Sequence, residues 1–118
     1  MDNVYEISLL LDFYGQLLTK RQYEILDLHF NNDYSLGEIA EQLNISRQGV
    51  YDNVKRGKAV LNGMEEKLGL VKKFTEQKAR AEEILKILED MDIKKLDNKS
   101  RENIIRVKDG IEYIIKSI

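Results

Sequence analysis

The chain has 118 residues, 42% of them hydrophobic, and a formal net charge of −2, which suits one domain with a modest core. It contains no proline and no cysteine; with few β-branched alternations this favours an all-α protein, and it is consistent with a reducing compartment. No apolar run approaches the roughly 18 residues needed to span a bilayer, and MDNVYEISLLLDFYG lacks the basic start and small-residue cleavage site of a secretory signal, so a cytoplasmic protein without membrane insertion is expected.

The first predicted element is a helix from Val4 toward Leu18, ending near Gly15. Ile7, Leu10, Leu11, Phe13, Tyr14, Leu17 and Leu18 leave it little polar surface, so most of its faces need cover from the rest of the protein or a second subunit. Thr19 and Gln22 stand at capping-box spacing and start a second helix through about Phe30. Its inward stripe is Tyr23, Ile25, Leu26 and Phe30. The cluster NNDYS that follows is a loop by its turn chemistry.

Ser35 to Leu61, SLGEIAEQLNISRQGVYDNVKRGKAVL, reads as two helices joined by a tight turn. Ser35 and Glu38 form a second capping box, and Leu36, Ile39, Ala40 and Leu43 recur at helical spacing. Asn44 falls where the turn needs a left-handed backbone, which asparagine tolerates. Ile45 plugs the turn and Ser46 is a natural N-cap. Val50, Val54 and Leu61 point inward from the next helix, and small Ala40 lets the two helices cross closely. This is a helix-turn-helix pattern. Met64, Leu68 and Val71 keep the helical spacing beyond it, and Gly69 either ends the helix as a C′ residue or merely weakens it.

From Val71 to Met91 a further helix carries Phe74, Ala81, Ile84, Leu85, Leu88 and Met91 on one side. The polar stretch DIKKLDNKS is a turn. Ile104, Val107, Ile111, Ile114 and Ile118 then recur in steps of 3 and 4, a short heptad pattern. The division expected is a helix-turn-helix domain over residues 1–70, with its motif at 35–61, and a helical tail over 71–118 that pairs two copies into a homodimer.

Charge is distributed unevenly. Residues 1–45 hold Lys20 and Arg21 against eight acids, a net of −6, while residues 46–61 hold Arg47, Lys55, Arg56 and Lys58 against Asp52, a net of +3. Positive charge therefore gathers on the second helix of the motif, where phosphates or base edges would lie. With Val50 and Val54 inward, Arg47, Gln48, Gly49, Asp52, Asn53 and Arg56 point outward. Arg and Gln near the start of a groove-inserted helix can contact guanine and adenine edges bidentately. Gly49 allows close approach, and Lys55 and Lys58 suit phosphates. The competing reading is a protein-contact module with solvated basic residues, which Asp52 favours by repelling phosphate.

Other chemistry finds little footing. His29 is the only histidine and reads as a structural or surface residue, with no metal expected. The adjacent acids Glu65–Glu66, Glu82–Glu83 and Glu89–Asp90 diverge by about 100° on a helix and cannot act on one atom. The glycines make no phosphate-cradling loop, and Tyr23, Tyr34 and Tyr51 do not alternate with basic residues as a stacking platform would. Neither catalysis nor a cofactor is expected.

The segment LLTKRQYEILDLHFNNDYSLGEIAEQLNISRQGVYDNVKRGKAVL resembles the region-4 helix-turn-helix of sigma factors. The likeness lies in its LT-R-Q lead-in, its S-L-EIAE-L-ISRQ-V core and its trailing KR. With EEKLGLVKKF and the short aromatic N-terminus added, the chain is similar to the YlxM family of helix-turn-helix proteins from about Val4 to Phe74. That resemblance implies a regulatory role in the signal recognition particle pathway, with the particle's GTPase, its receptor or its RNA as partner. It also implies DNA-facing positions at Arg47, Gln48, Asn53, Lys55 and Arg56, with Asp52 a departure from sigma-type readers. The rival expectation is a sequence-specific DNA-binding transcriptional regulator unrelated to the particle; a third is an adaptor that binds no nucleic acid.

Overall fold

The computed structural model describes residues 4–117, which form helices and no strand. None of these helices is long and apolar enough to cross a membrane. The chain divides into two compact units, Met1–Val71 and Lys72–Ile118.

In the first unit, α1 (Val4–Tyr14) runs into a single 3₁₀ turn at Gly15–Leu17. Ile7, Leu10, Leu11, Tyr14 and Leu18 are buried, whereas Phe13 and Leu17 remain exposed. The helix thus buries one face and not most of its circumference. α2 (Lys20–Leu26) opens with the expected capping box: Thr19 Oγ1 accepts from Gln22 N–H, and Gln22 Oε1 accepts from Thr19 N–H, both at 3.1 Å.

The second helix does not reach Phe30 as an α-helix. It widens to a π turn over Asp27–Asn31, a local insertion that 3.6-residue spacing cannot register. The loop beyond folds back on it. Tyr34 N–H donates to the Leu28 carbonyl at 3.0 Å, and His29 Nδ1 donates to the Tyr34 carbonyl at 2.7 Å; a carbonyl can only accept, so that nitrogen carries the proton. Tyr23, expected inward, is 43% exposed. Its ring lies over Gly15, where a Cβ would stand 2.7 Å from Tyr23 Cε2.

α3 (Leu36–Leu43) and α4 (Arg47–Leu68) follow, and the inner side of α4 packs on two apolar clusters. One gathers Ile7, Leu10, Leu11, Tyr14, Leu18, Leu26 and Leu61, with Phe30, Met64 and Val71 against it. The other gathers Ile25, Ile39, Ala40 and Val50, with Leu28, Leu43 and Ile45 against it. Val54 packs on both. Ile7, Ile25, Leu26, Ile39, Val50 and Leu61 are fully buried, each stabilising the fold by roughly 1.5–3 kcal/mol. A glycine makes this arrangement possible: a Cβ on buried Gly57 would lie 2.6 Å from Leu26 Cδ1.

α4 ends where Gly69 turns left-handed at φ 64°, its N–H donating to the Glu65 carbonyl at 2.8 Å. Tyr14 and Glu65 organise the restart. The Tyr14 hydroxyl donates to Glu65 Oε1 at 2.6 Å and accepts from Leu70 N–H at 3.1 Å, while Glu65 Oε1 accepts from Val71 N–H at 3.0 Å. These bonds satisfy amides that the start of α5 (Leu70–Asp90) would otherwise leave open. Burial, with the carboxylate as acceptor, pushes the Tyr14 phenol above its ordinary pKa. Leu68, although it keeps the helical spacing, is 55% exposed, and Val71 beyond the break packs on the first cluster.

The second unit holds the rest of α5, a turn over residues 91–97, and α6 (Asn98–Ser117). Arg101 closes the turn, its guanidinium donating to the carbonyls of Ile93, Lys94 and Leu96. Burial on α5 follows Phe74, Lys78, Ala81, Leu85 and Leu88, and on α6 follows Arg101, Ile104, Lys108, Ile111 and Ile115. That heptad pattern is what a seam between two helices produces. Ile84 and Met91, expected on the inner side, are exposed, as are Val107 and Ile114. Ile118 lies outside the described residues.

Gly57→Ala is expected to destabilise by about 1–2 kcal/mol. Overpacking against Leu26 costs ~1–3 kcal/mol and outweighs the helix-propensity gain of up to ~1 kcal/mol. A lowered urea midpoint at unchanged slope would register it, and an unchanged or raised midpoint would refute the close crossing.

Candidate nucleic-acid interface

The site is built from the turn outward. Ser35 Oγ accepts from Glu38 N–H at 3.1 Å, and Glu38 Oε1 accepts from Ser35 N–H at 2.9 Å. The bonds to the Ser35 backbone and hydroxyl hold the Glu38 carboxyl below the usual carboxylate range. α3 ends at Asn44, left-handed at φ 56° and ψ 48°, and Ile45 N–H donates back to the Ala40 carbonyl at 3.1 Å. Ser46 then caps α4, its Oγ accepting from Gly49 N–H at 2.9 Å. Ile39, Ala40 and Val50 are buried between the two helices, which turns the opposite side of α4 outward.

The structure distributes the seven predicted contact residues unequally. Arg47, Gln48, Lys55 and Arg56 are exposed, while Gly49, Asn53 and Lys58 are half-buried. Arg47 does not simply project: its guanidinium lies over Gly37 of α3, where a Cβ would come 3.1 Å from Nη2. Gln48 donates to Asp52 Oδ1 at 3.0 Å, so the carboxylate has an intrachain partner and the amide is oriented by it. Asn53 Nδ2 donates to the Gly49 carbonyl at 2.8 Å, turning that side chain back onto its own helix. Lys58, expected on phosphates, has its ammonium 5.7 Å from the centre of the Phe30 ring. Spacing identified the outward positions, but not these bonds.

One feature was underestimated from sequence. Tyr51, Val54, Lys55, Lys58, Ala59 and Asn62 line a shallow groove along one flank of α4, with Tyr51 46% exposed. Counted along the chain, Tyr51 does not alternate with cations. Counted along a helix, the steps of four and three from Tyr51 to Lys55 to Lys58 place the ring and both ammonium groups on one side. Among the described residues, no three His, Cys, Asp or Glu side chains are grouped to hold a metal ion.

A capped helix, a left-handed asparagine turn and a second capped helix packed across the first make this a helix-turn-helix protein. Over residues 1–105 the chain matches the family UPF0122, described as "Putative helix-turn-helix protein, YlxM / p13 like", and it belongs to that family. The UPF0122 protein of Acetivibrio thermocellus is 66% identical over 117 residues, spanning 99% of this chain and 100% of that protein. That of Thermoanaerobacter sp. is 47% identical over 106 residues, 76% of this chain and 91% of its own. That of Oceanobacillus iheyensis is 41% identical over 109 residues, 92% and 97% respectively. The family description is that of a helix-turn-helix protein and not of an enzyme.

The depressed Glu38 pKa sets a pH dependence. A carboxyl whose folded pKa lies below its unfolded value adds stability above the unfolded value and loses it as pH falls through the folded one. Glu38→Gln should therefore melt closer to the parent at about pH 3 than at about pH 7. Thermal melts across that range test this, and a constant difference would refute the charged cap.

Proposed function

We propose that this protein is a helix-turn-helix regulatory protein of the signal recognition particle pathway that touches a nucleic-acid backbone through the outer side of α4. The observation that carries the nucleic-acid half is the net +3 over residues 46–61 of an otherwise acidic chain, with Arg47, Lys55 and Arg56 of that stretch exposed. The pathway half rests on the likeness to the YlxM family. In this reading the protein is cytoplasmic, and its partner is the particle's GTPase, its receptor or its RNA.

Phosphate contact is favoured over base reading because Gln48 and Asn53 already donate within the chain. The second reading, a sequence-specific regulator of transcription, is supported by Arg47 and Gln48 at the start of α4. A bidentate base contact there would first have to draw Gln48 from Asp52 and Arg47 from Gly37.

Fluorescence anisotropy against random duplex and against the reconstituted particle GTPase–RNA complex, each at two salt concentrations, separates these readings. Binding that weakens steeply with salt, with Lys55→Ala and Arg56→Ala each lowering the salt slope by about 1 on duplex, is the expected result. A selected DNA site bound ~10³-fold tighter than random duplex would favour the transcriptional reading. Binding to neither duplex nor particle would overturn both.

The same proposal assigns the 72–118 unit to pairing with a second copy. Val107 and Ile114 are 50% and 49% exposed, and Gly110 lies between them on one face of α6, with nothing within 4 Å of where its Cβ would be. A mid-helix glycine costs up to ~1 kcal/mol relative to alanine, and close approach of a partner helix would account for it. Sedimentation equilibrium should give a dimer that Gly110→Leu converts to a folded monomer. A parent chain that is monomeric at every concentration would refute the pairing.

A further inference from the structure

The groove on α4 supports a more specific assignment, resting on the nucleic-acid reading above. We infer that it holds an unpaired nucleotide of a single strand, with the base stacked on Tyr51 and the adjoining phosphates on Lys55 and Lys58. Single-strand sites combine a cationic track for the backbone with an aromatic face for the base, and both elements are here on one helix flank. Tyr51 is 46% exposed although its neighbours Val50 and Val54 pack into the core. Val54 and Ala59 give the groove an apolar floor, and Asn62 at its far end offers a donor and an acceptor to a base edge.

The placement along the helix separates this site from duplex reading. A helix inserted in a major groove reads base edges with its N-terminal residues, which here are Arg47 and Gln48. Tyr51 to Asn62 runs through the middle of α4, spanning about 16 Å at 1.5 Å per residue. A track running along the helix suits a strand that follows it. Lys58 contributes its charge from beside Phe30, its ammonium 5.7 Å from the ring centre.

The test uses the full chain with a labelled oligothymidylate and oligouridylate, too simple in sequence to pair with themselves, and a blunt random duplex. Tyr51→Ala should weaken single-strand binding roughly five- to one-hundred-fold while Tyr51→Phe, which keeps the stacking face, retains it. Neither change should alter duplex binding, which in the reading above rests on the charges of Arg47, Lys55 and Arg56. Lys55→Gln and Lys58→Gln should each lower the single-strand salt slope by about 0.7. Single-strand binding that is absent, or that Tyr51→Ala leaves intact or reduces together with duplex binding, overturns the assignment. Duplex binding that persists in that case leaves the broader nucleic-acid reading standing; absence of binding to either form removes both.

Discussion

How closely α2 can lie against α4 governs the arrangement of the first unit, and that distance is set where Leu26 meets Gly57. With a side chain at 57, α2 would have to lift away from α4. Leu26 and Leu61 would then lose the contacts that join the first cluster, and Ile25 would leave the second. Because Val54 packs on both clusters from α4, a shift at one would reach the other. Protein interiors are too densely packed to absorb such a displacement without cost.

The outward face of α4 follows from that inner arrangement. Val50, Val54, Gly57 and Leu61 define one inward stripe along the helix, and the cations at 55 and 56 are left on the other side. The electrostatics are not those of a bare cationic helix. Asp52 holds Gln48, Asn53 holds the Gly49 carbonyl, and Arg47 crosses Gly37. Gln48 and Asn53 are therefore oriented within the free protein, and a base contact by either must exchange its bond for another of similar strength. The net gain from such an exchange is small. Phosphate contact by exposed lysine and arginine requires no such exchange, and its strength depends on counterion release instead.

The junction after α4 combines two requirements. Gly69 reverses the backbone at a left-handed φ that an L side chain would strain, and the exposed amides of the next helix must find acceptors. Tyr14 and Glu65 supply them from separate helices, and burial, with the Glu65 carboxylate as acceptor, raises the phenol's pKa. Leu70 and Val71, the first two residues of α5, are thereby held within the first unit. Beyond it, the heptad burial on α5 and α6 uses one stripe of each helix and leaves Val107 and Ile114 outside it.

Both capping boxes, the left-handed Asn44, the Ser46 cap and the end of α4 at Gly69 were legible in the sequence, as were the helical spacings and the concentration of positive charge on α4. The caps and the turn depend on residues within about one helical turn of one another, so the local order of side chains suffices to specify them. Tertiary structure alone decided the rest. It left Tyr23, Leu68, Ile84 and Met91 exposed, widened α2 into a π turn, laid Arg47 over Gly37, and joined Tyr14 to Glu65 across 51 positions. Periodicity states that a stripe is apolar but not how wide a neighbour covers it, and a small residue permits a close crossing without saying which partner approaches. Those outcomes are set by helices distant in sequence competing for the same volume.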